Sequence, residues 1–233
     1  CFIAVKGTTE SREQSVEHRV ELHRKDEQLQ PTDLVGCRYR LVQRRRLPGI
    51  APTPASQQRA ERTEEARQDV FALLPRDVTR VDARPEHAEV DTLEGLVNEA
   101  SIITGAELTG PGWRAPIDAL VRHSDGTYTP VAVSNHRVAR PLAEGAKSAS
   151  ALVVDTRNLG LAEPREANYK LRHHAVDSYR LALAARALNN LGVGSGFGAE
   201  IGQDREHAFL VRIADIMPIL DNALAQPTPD HPR

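Results

Sequence analysis

The chain has 233 residues and carries 30 Lys and Arg against 32 Asp and Glu, a formal net charge of −2. With 40% hydrophobic and 27% charged residues it has a globular composition, and no apolar run approaches the roughly 20 residues of a membrane span. Its two cysteines, Cys1 and Cys37, exclude a disulfide framework and point to a reducing cytosol, so a cytoplasmic protein is expected.

The chain opens at Cys1 and closes on Pro-Thr-Pro-Asp-His-Pro-Arg. Residues 226–233 suggest a linker or a truncated end, and hence a fragment of a longer polypeptide. Residues 2–5 suit a short strand and lack the length and cleavage site of a secretory signal. Residues 8–30 are very polar, with Val16, Val20, Leu22 and Leu29 as the large apolar residues. An exposed helix, a charged hairpin strand and a tail all remain open there, and residues 1–30 are set outside the functional domain.

Pro31-Thr32-Asp33 marks a helix start, with Thr32 as N-cap and Asp33 an acid in the first turn. Leu34, Cys37 and Leu41 follow at helical spacing, and Pro48-Gly49 ends the helix. Arg38, Arg40, Arg44, Arg45 and Arg46 cluster around its other side. They form either a solvated face or a phosphate contact, since such a cluster makes a strong local positive field whatever the net charge.

A second helix is expected over 55–74, with Ala60, Ala66, Val70, Phe71 and Leu74 inward. Residues 78–81 suit a short strand, and 91–100 a helix with Leu93, Leu96 and Val97 inward. Residues 101–108 read as a strand. The segment from Trp113 to Arg140 reads as a β-hairpin: Ile117 to Arg122, an Asp125-Gly126 turn, then Tyr128 to Val133. Residues 149–155 are a strand or buried segment. The longest helix is expected over 169–191. On it His173 and Asp177, four apart, are either a surface pair or two metal ligands. The following GVGSGFG lacks the Gly-Lys-Ser/Thr ending of a phosphate loop. A strand pair around Asp204-Arg205 and a helix over 215–225 complete the chain. Trp113 is core or rim, or a platform for a base.

This order indicates an α/β domain with a mixed sheet covered by helices. Four strings within it resemble the RecB-like branch of the PD-(D/E)XK nuclease superfamily, in particular the bacterial RecB-like nucleases and the CRISPR-associated exonucleases with an iron–sulfur cluster. They are PTDLVGCRYRLVQRR (31–45); ITGAEL with WRAPIDALVR and YTPVAVSNHRV (103–138); DSYRLAL (177–183); and GAEIGQD (198–204). The resemblance covers residues 31–225. It implies a restriction-endonuclease-like mixed sheet flanked by helices, DNA as partner together with a further domain or helicase, and phosphodiester hydrolysis assisted by Mg²⁺ or Mn²⁺.

Carried over residue by residue, the resemblance makes Asp118 the first metal-binding acid. The second acid would fall at Ala132 and the lysine at Ser134. The family's glutamine on the next helix falls near Arg180, its tyrosine near Ala184, and its upstream helix acid or histidine near Arg67. Glu107, or Glu64 or Glu65, is a candidate replacement acid; His136 or Lys170 is a candidate replacement lysine. Cys37 corresponds to a lone iron–sulfur ligand whose three partner cysteines would lie outside this chain. The expectation is a DNA-processing nuclease domain with degenerate catalysis. The alternatives are a non-catalytic DNA-binding or structural module on the same fold, and an unrelated α/β domain.

Overall fold

The computed structural model describes residues 28–36, 39–47, 51–142 and 150–226. Among them a nine-stranded mixed sheet forms the centre of the molecule, and helices cover it. Cys1, Cys37 and Arg38 lie outside the described residues, as do the side chains of Arg40, Arg44 and Arg45. The cluster-ligand reading of Cys37 and most of the arginine reading therefore fall there too.

The segment expected to be one helix from Pro31 onward is two pieces. Pro31–Leu34 is a single 3-10 turn, capped by Asp33, whose Oδ2 accepts from the Gln30 amide at 2.8 Å. Thr32 is exposed and is not the cap. Gly36 takes a φ of +80°, which no helix continues through, and helix α1 runs Tyr39–Arg46. Helix α2, Pro54–Leu73, starts at an N-cap Thr53 whose hydroxyl accepts from the Ser56 amide. It buries Ala66, Val70 and Phe71, with Leu74 buried just beyond, while Ala60 is exposed.

Strand β1 is Arg80–Asp82 and helix α3 is Ala88–Val97. Of the three residues expected inward on α3, Leu96 packs against the core but Leu93 and Val97 are exposed, and Ala88, Asp91, Thr92 and Gly95 are buried. The helix lies so close to the sheet that a Cβ on Gly95 would sit 2.8 Å from Ile103 Cδ1. Larger side chains have no room on that side.

The strand expected over 101–108 is broken at Gly105, φ +62°, into β2, Ile102–Thr104, and β3, Glu107–Gly110. β3 pairs with β4, Trp113–Pro116, as a separate two-stranded sheet. The central hairpin is present as β5, Ala119–Arg122, and β6, Tyr128–Val133, joined through Asp125-Gly126. β7 is Ala139–Pro141, β8 Ser150–Asp155 and β9 Arg165–Leu171. Helix α4 then runs Ala175–Asn190, followed by β10, Phe197–Ile201, β11, His207–Arg212, and helix α5, Ile213–Ala225.

The helix expected over 169–191 thus begins six residues late, because 165–171 pair with β8 and β7 as a strand. It is also shorter than α2, 16 residues against 20. His173 precedes α4, so it does not share a helical face with Asp177.

Strand order in the large sheet is β1-β2-β5-β6-β10-β11-β8-β9-β7. β10 runs parallel to β6, and the chain between them passes through β7, β8, β9 and α4. Strand alternation divides the interior in two. Leu120 and Ala132 face the side carrying Leu181 and Leu188 of α4. Val121, Val131, Val133 and Ile201 face the side carrying Val70 and Phe71 of α2. Among the described residues no helix is long and apolar enough to cross a membrane.

Candidate functional site

Asp118 lies just before β5 and is 2% exposed. Its backbone carbonyl accepts from the Gly105 amide, tying it to the break between β2 and β3. Continuing the β5–β6 register by one residue sets it against Ala132. Both helical layers reach it. From α2, Arg67 Nε donates to Asp118 Oδ1 at 2.8 Å. From α4, Arg180 Nη2 stands 2.8 Å from the same oxygen. The remaining oxygen, Oδ2, accepts from the Val133 amide at 2.6 Å. Both carboxylate oxygens are thus engaged by protein donors, three against about four acceptor sites.

The two arginines are held in turn. Arg67 pairs with Glu64 one turn earlier on α2. Arg180 donates from Nε to the Pro116 carbonyl at 3.3 Å, and its Nη1 lies 3.6 Å from Asp177 Oδ1. Burial pushes the Asp118 carboxyl up, but Arg180 and Arg67 outweigh it and hold it below its ordinary value. Burial likewise pushes the Arg180 guanidinium down, and Asp118 more than restores it. Asp118 and Arg180 thus each favour the charged form of the other.

The neighbouring positions lack the partners that a carboxylate pair needs. Ala132 is fully buried against α4. Ser134 is buried; its carbonyl accepts from Arg205 Nη1 at 3.0 Å and its hydroxyl from the His136 amide at 3.3 Å. Glu107 is on β3 in the other sheet, where Arg114 Nη1 donates to its Oε2 at 3.0 Å. Glu64 and Glu65 are exposed on α2. His136 stacks on His174 with ring centres 4.4 Å apart, and Lys170 is exposed on β9. The structure brings together Asp118, Arg67, Arg180 and Ala132, and leaves Glu107 and Lys170 outside the group.

One acid at this place was not singled out from the sequence. Glu200 on β10 pairs in register with Ala132 and is 1% exposed. Neither of its carboxyl oxygens has a hydrogen-bond partner among the described residues. Burial, with Asp177 nearby, pushes its pKa up to about 8, so it is mostly protonated at neutral pH. The available signal was one charged residue inside the apolar string Gly198-Ala199-Glu200-Ile201.

These residues do not fit a catalytic Mg²⁺ or Mn²⁺. Such cations need several ionised oxygen donors turned to one point. Asp118 is occupied by two guanidinium groups and an amide, and no three His, Cys, Asp or Glu among the described residues gather to hold a metal. Compared with known proteins, the chain matches no family model, no curated protein and no solved structure.

Proposed function

We propose that this chain is a RecB-like nuclease-fold domain that has given up metal-assisted cleavage and serves as a non-catalytic, DNA-handling module. The observation that carries this reading is the occupation of Asp118 by Arg67 and Arg180. Three positions that the resemblance points to, Arg67, Ala132 and Arg180, lie around Asp118. Two fixed positive charges stand where a divalent cation's charge would be needed, and they satisfy Asp118 without a metal.

A surface suited to DNA supports the second half of the reading. Arg137, Arg140, Lys170 and Arg172 are all exposed on or beside the β7–β9 pair. Arg140 and Lys170 are direct cross-strand partners. None of the four makes an ion pair among the described residues. Like charges set opposite one another cost stability, and a phosphate backbone would relieve that cost.

The test is a cleavage assay on single- and double-stranded DNA with Mn²⁺, beside a binding titration at several salt concentrations. The expected result is no metal-dependent cleavage and binding that weakens steeply with salt. Cleavage that Asp118→Ala abolishes would overturn the degenerate reading; absence of DNA binding by the full chain would overturn the DNA-handling one.

A further inference from the structure

Helix α3 leaves three aliphatic residues on its outside, although Leu96 packs inward. Its packed side is built from Ala88, Asp91, Thr92 and Gly95, and Gly95 meets Ile103 of β2 closely. Val90, Leu93 and Val97, spaced to share one stripe, are 51%, 43% and 82% exposed. An aliphatic stripe turned to water is the reverse of what a surface helix needs in an isolated domain, and it marks a contact surface.

Its charge says what kind of partner fits. Between Ala88 and Val97 there are three acids, Glu89, Asp91 and Glu94, and no Lys or Arg. Arg84 beside it is taken up by Asp91, at 2.6 and 2.9 Å. Glu94, and Glu86 just before the helix, form no ion pair among the described residues. The face is aliphatic and acidic.

The complementary segment is in the same chain. Helix α1 reads YRLVQRRR, with four arginines and no acid, and Leu47 directly after it is 55% exposed. Of the seven exposed large hydrophobic residues among those described, Leu47, Val90, Leu93 and Val97 lie on these two segments. We propose that the outer face of α3 docks a second copy of this chain, taking that copy's arginine-rich α1. Reciprocal exchange gives two such contacts per dimer, each pairing unlike surfaces. The small patch makes the association weak and concentration-dependent. The inference does not depend on the nuclease-fold reading.

Sedimentation velocity on the full chain over a concentration series tests it. A dimer is expected that loosens as salt is raised, because opposite charges across a contact are screened. Val97→Glu and, separately, Arg44→Glu with Arg45→Glu should each weaken dimerisation about tenfold or more, as loss of a central contact does. Val97 is exposed, and thermal unfolding checks that each variant is folded. Mixing the two variants restores one of the two contacts, so the mixture should associate more tightly than either variant alone. A chain that stays monomeric at every concentration overturns the proposal. So does a dimer indifferent to Val97→Glu, one indifferent to the arginine reversal, or a mixture no tighter than its parts.

Discussion

Arg180 and Asp118 form a buried ion pair, with Nη2 and Oδ1 2.8 Å apart, and Arg67 meets the same oxygen from the opposite helical layer. The pair therefore joins α4 to α2 through the end of the central hairpin. Removing one partner strands a charge in the interior. Asp118→Ala is expected to cost about 3–5 kcal/mol of stability, read from urea unfolding. Arg180→Met should be comparably costly, and Asp118→Leu with Arg180→Met should cost less than the sum of the single changes. Additive losses would show that the pair is not a unit.

Glu200 gives the fold an alkaline weakness. Its pKa is raised from 4.5 to about 8 in the folded chain, so between those values the folded state binds the extra proton and stability falls as pH rises. The folded state is unpenalised below pH 4.5 and carries the full penalty above about pH 8. That penalty is about 3–6 kcal/mol at the usual conversion. Asp118 works the other way: its lowered value contributes stability above its ordinary 3.8 that is lost as pH falls through the folded value. Chemical denaturation across pH 5–9 (roughly the window in which the acid titrates) should show falling stability. Glu200→Gln should flatten it, and an unchanged slope would mean that Glu200 is ionised in the folded chain.

Gly160 and Gly126 both have positive φ, +81° and +85°, but in different surroundings. A Cβ on Gly160 would collide with Val121 Cγ1 and lie 2.8 Å from the Arg122 carbonyl; on Gly126 the nearest atom is 3.5 Å away, at the tip of Arg122. Gly126→Ala should therefore cost only the conformational term, about 1 kcal/mol. Gly160→Ala should add an overpacking term of about 1–3 kcal/mol against β5. Equal melting temperatures for the two variants would refute the difference.

The central hairpin was legible because both strands carry β-forming residues and Asp125-Gly126 marks the turn, and the β10–β11 pair was legible for similar reasons. The 165–174 segment was misread because Leu171 and Ala175 continue the apolar spacing of α4 backwards. Pairing with β8 and β7 decides the conformation there, and that pairing is not local. Leu93 and Val97 were expected inward because apolar residues usually are; the sequence does not show that Gly95 draws the other face onto β2. Asp118, Arg67 and Arg180 were each marked through the resemblance, but their mutual bonds were not. They join positions 51 and 62 residues from Asp118 on either side of it, a distance no local pattern spans. Glu200 was missed because its meaning rests on a register partner, Ala132, on a strand far back in the chain.

Arg140 and Lys170 face each other across β7 and β9, and this arrangement makes stability and binding respond with opposite signs. Replacing both by Gln removes a like-charge pair, which should stabilise the free chain by about 0.2–1 kcal/mol. If the proposed DNA-handling function holds, the same change removes two phosphate contacts, so DNA affinity should fall and the slope of log affinity against log salt should shrink by about 2. Thermal unfolding and fluorescence anisotropy with a labelled duplex read the two effects separately. A structural role for the cations alone predicts unchanged DNA binding. A role in a salt-bridge network predicts lost stability. Higher stability together with a shallower salt slope is the combination expected of a surface shaped by its ligand.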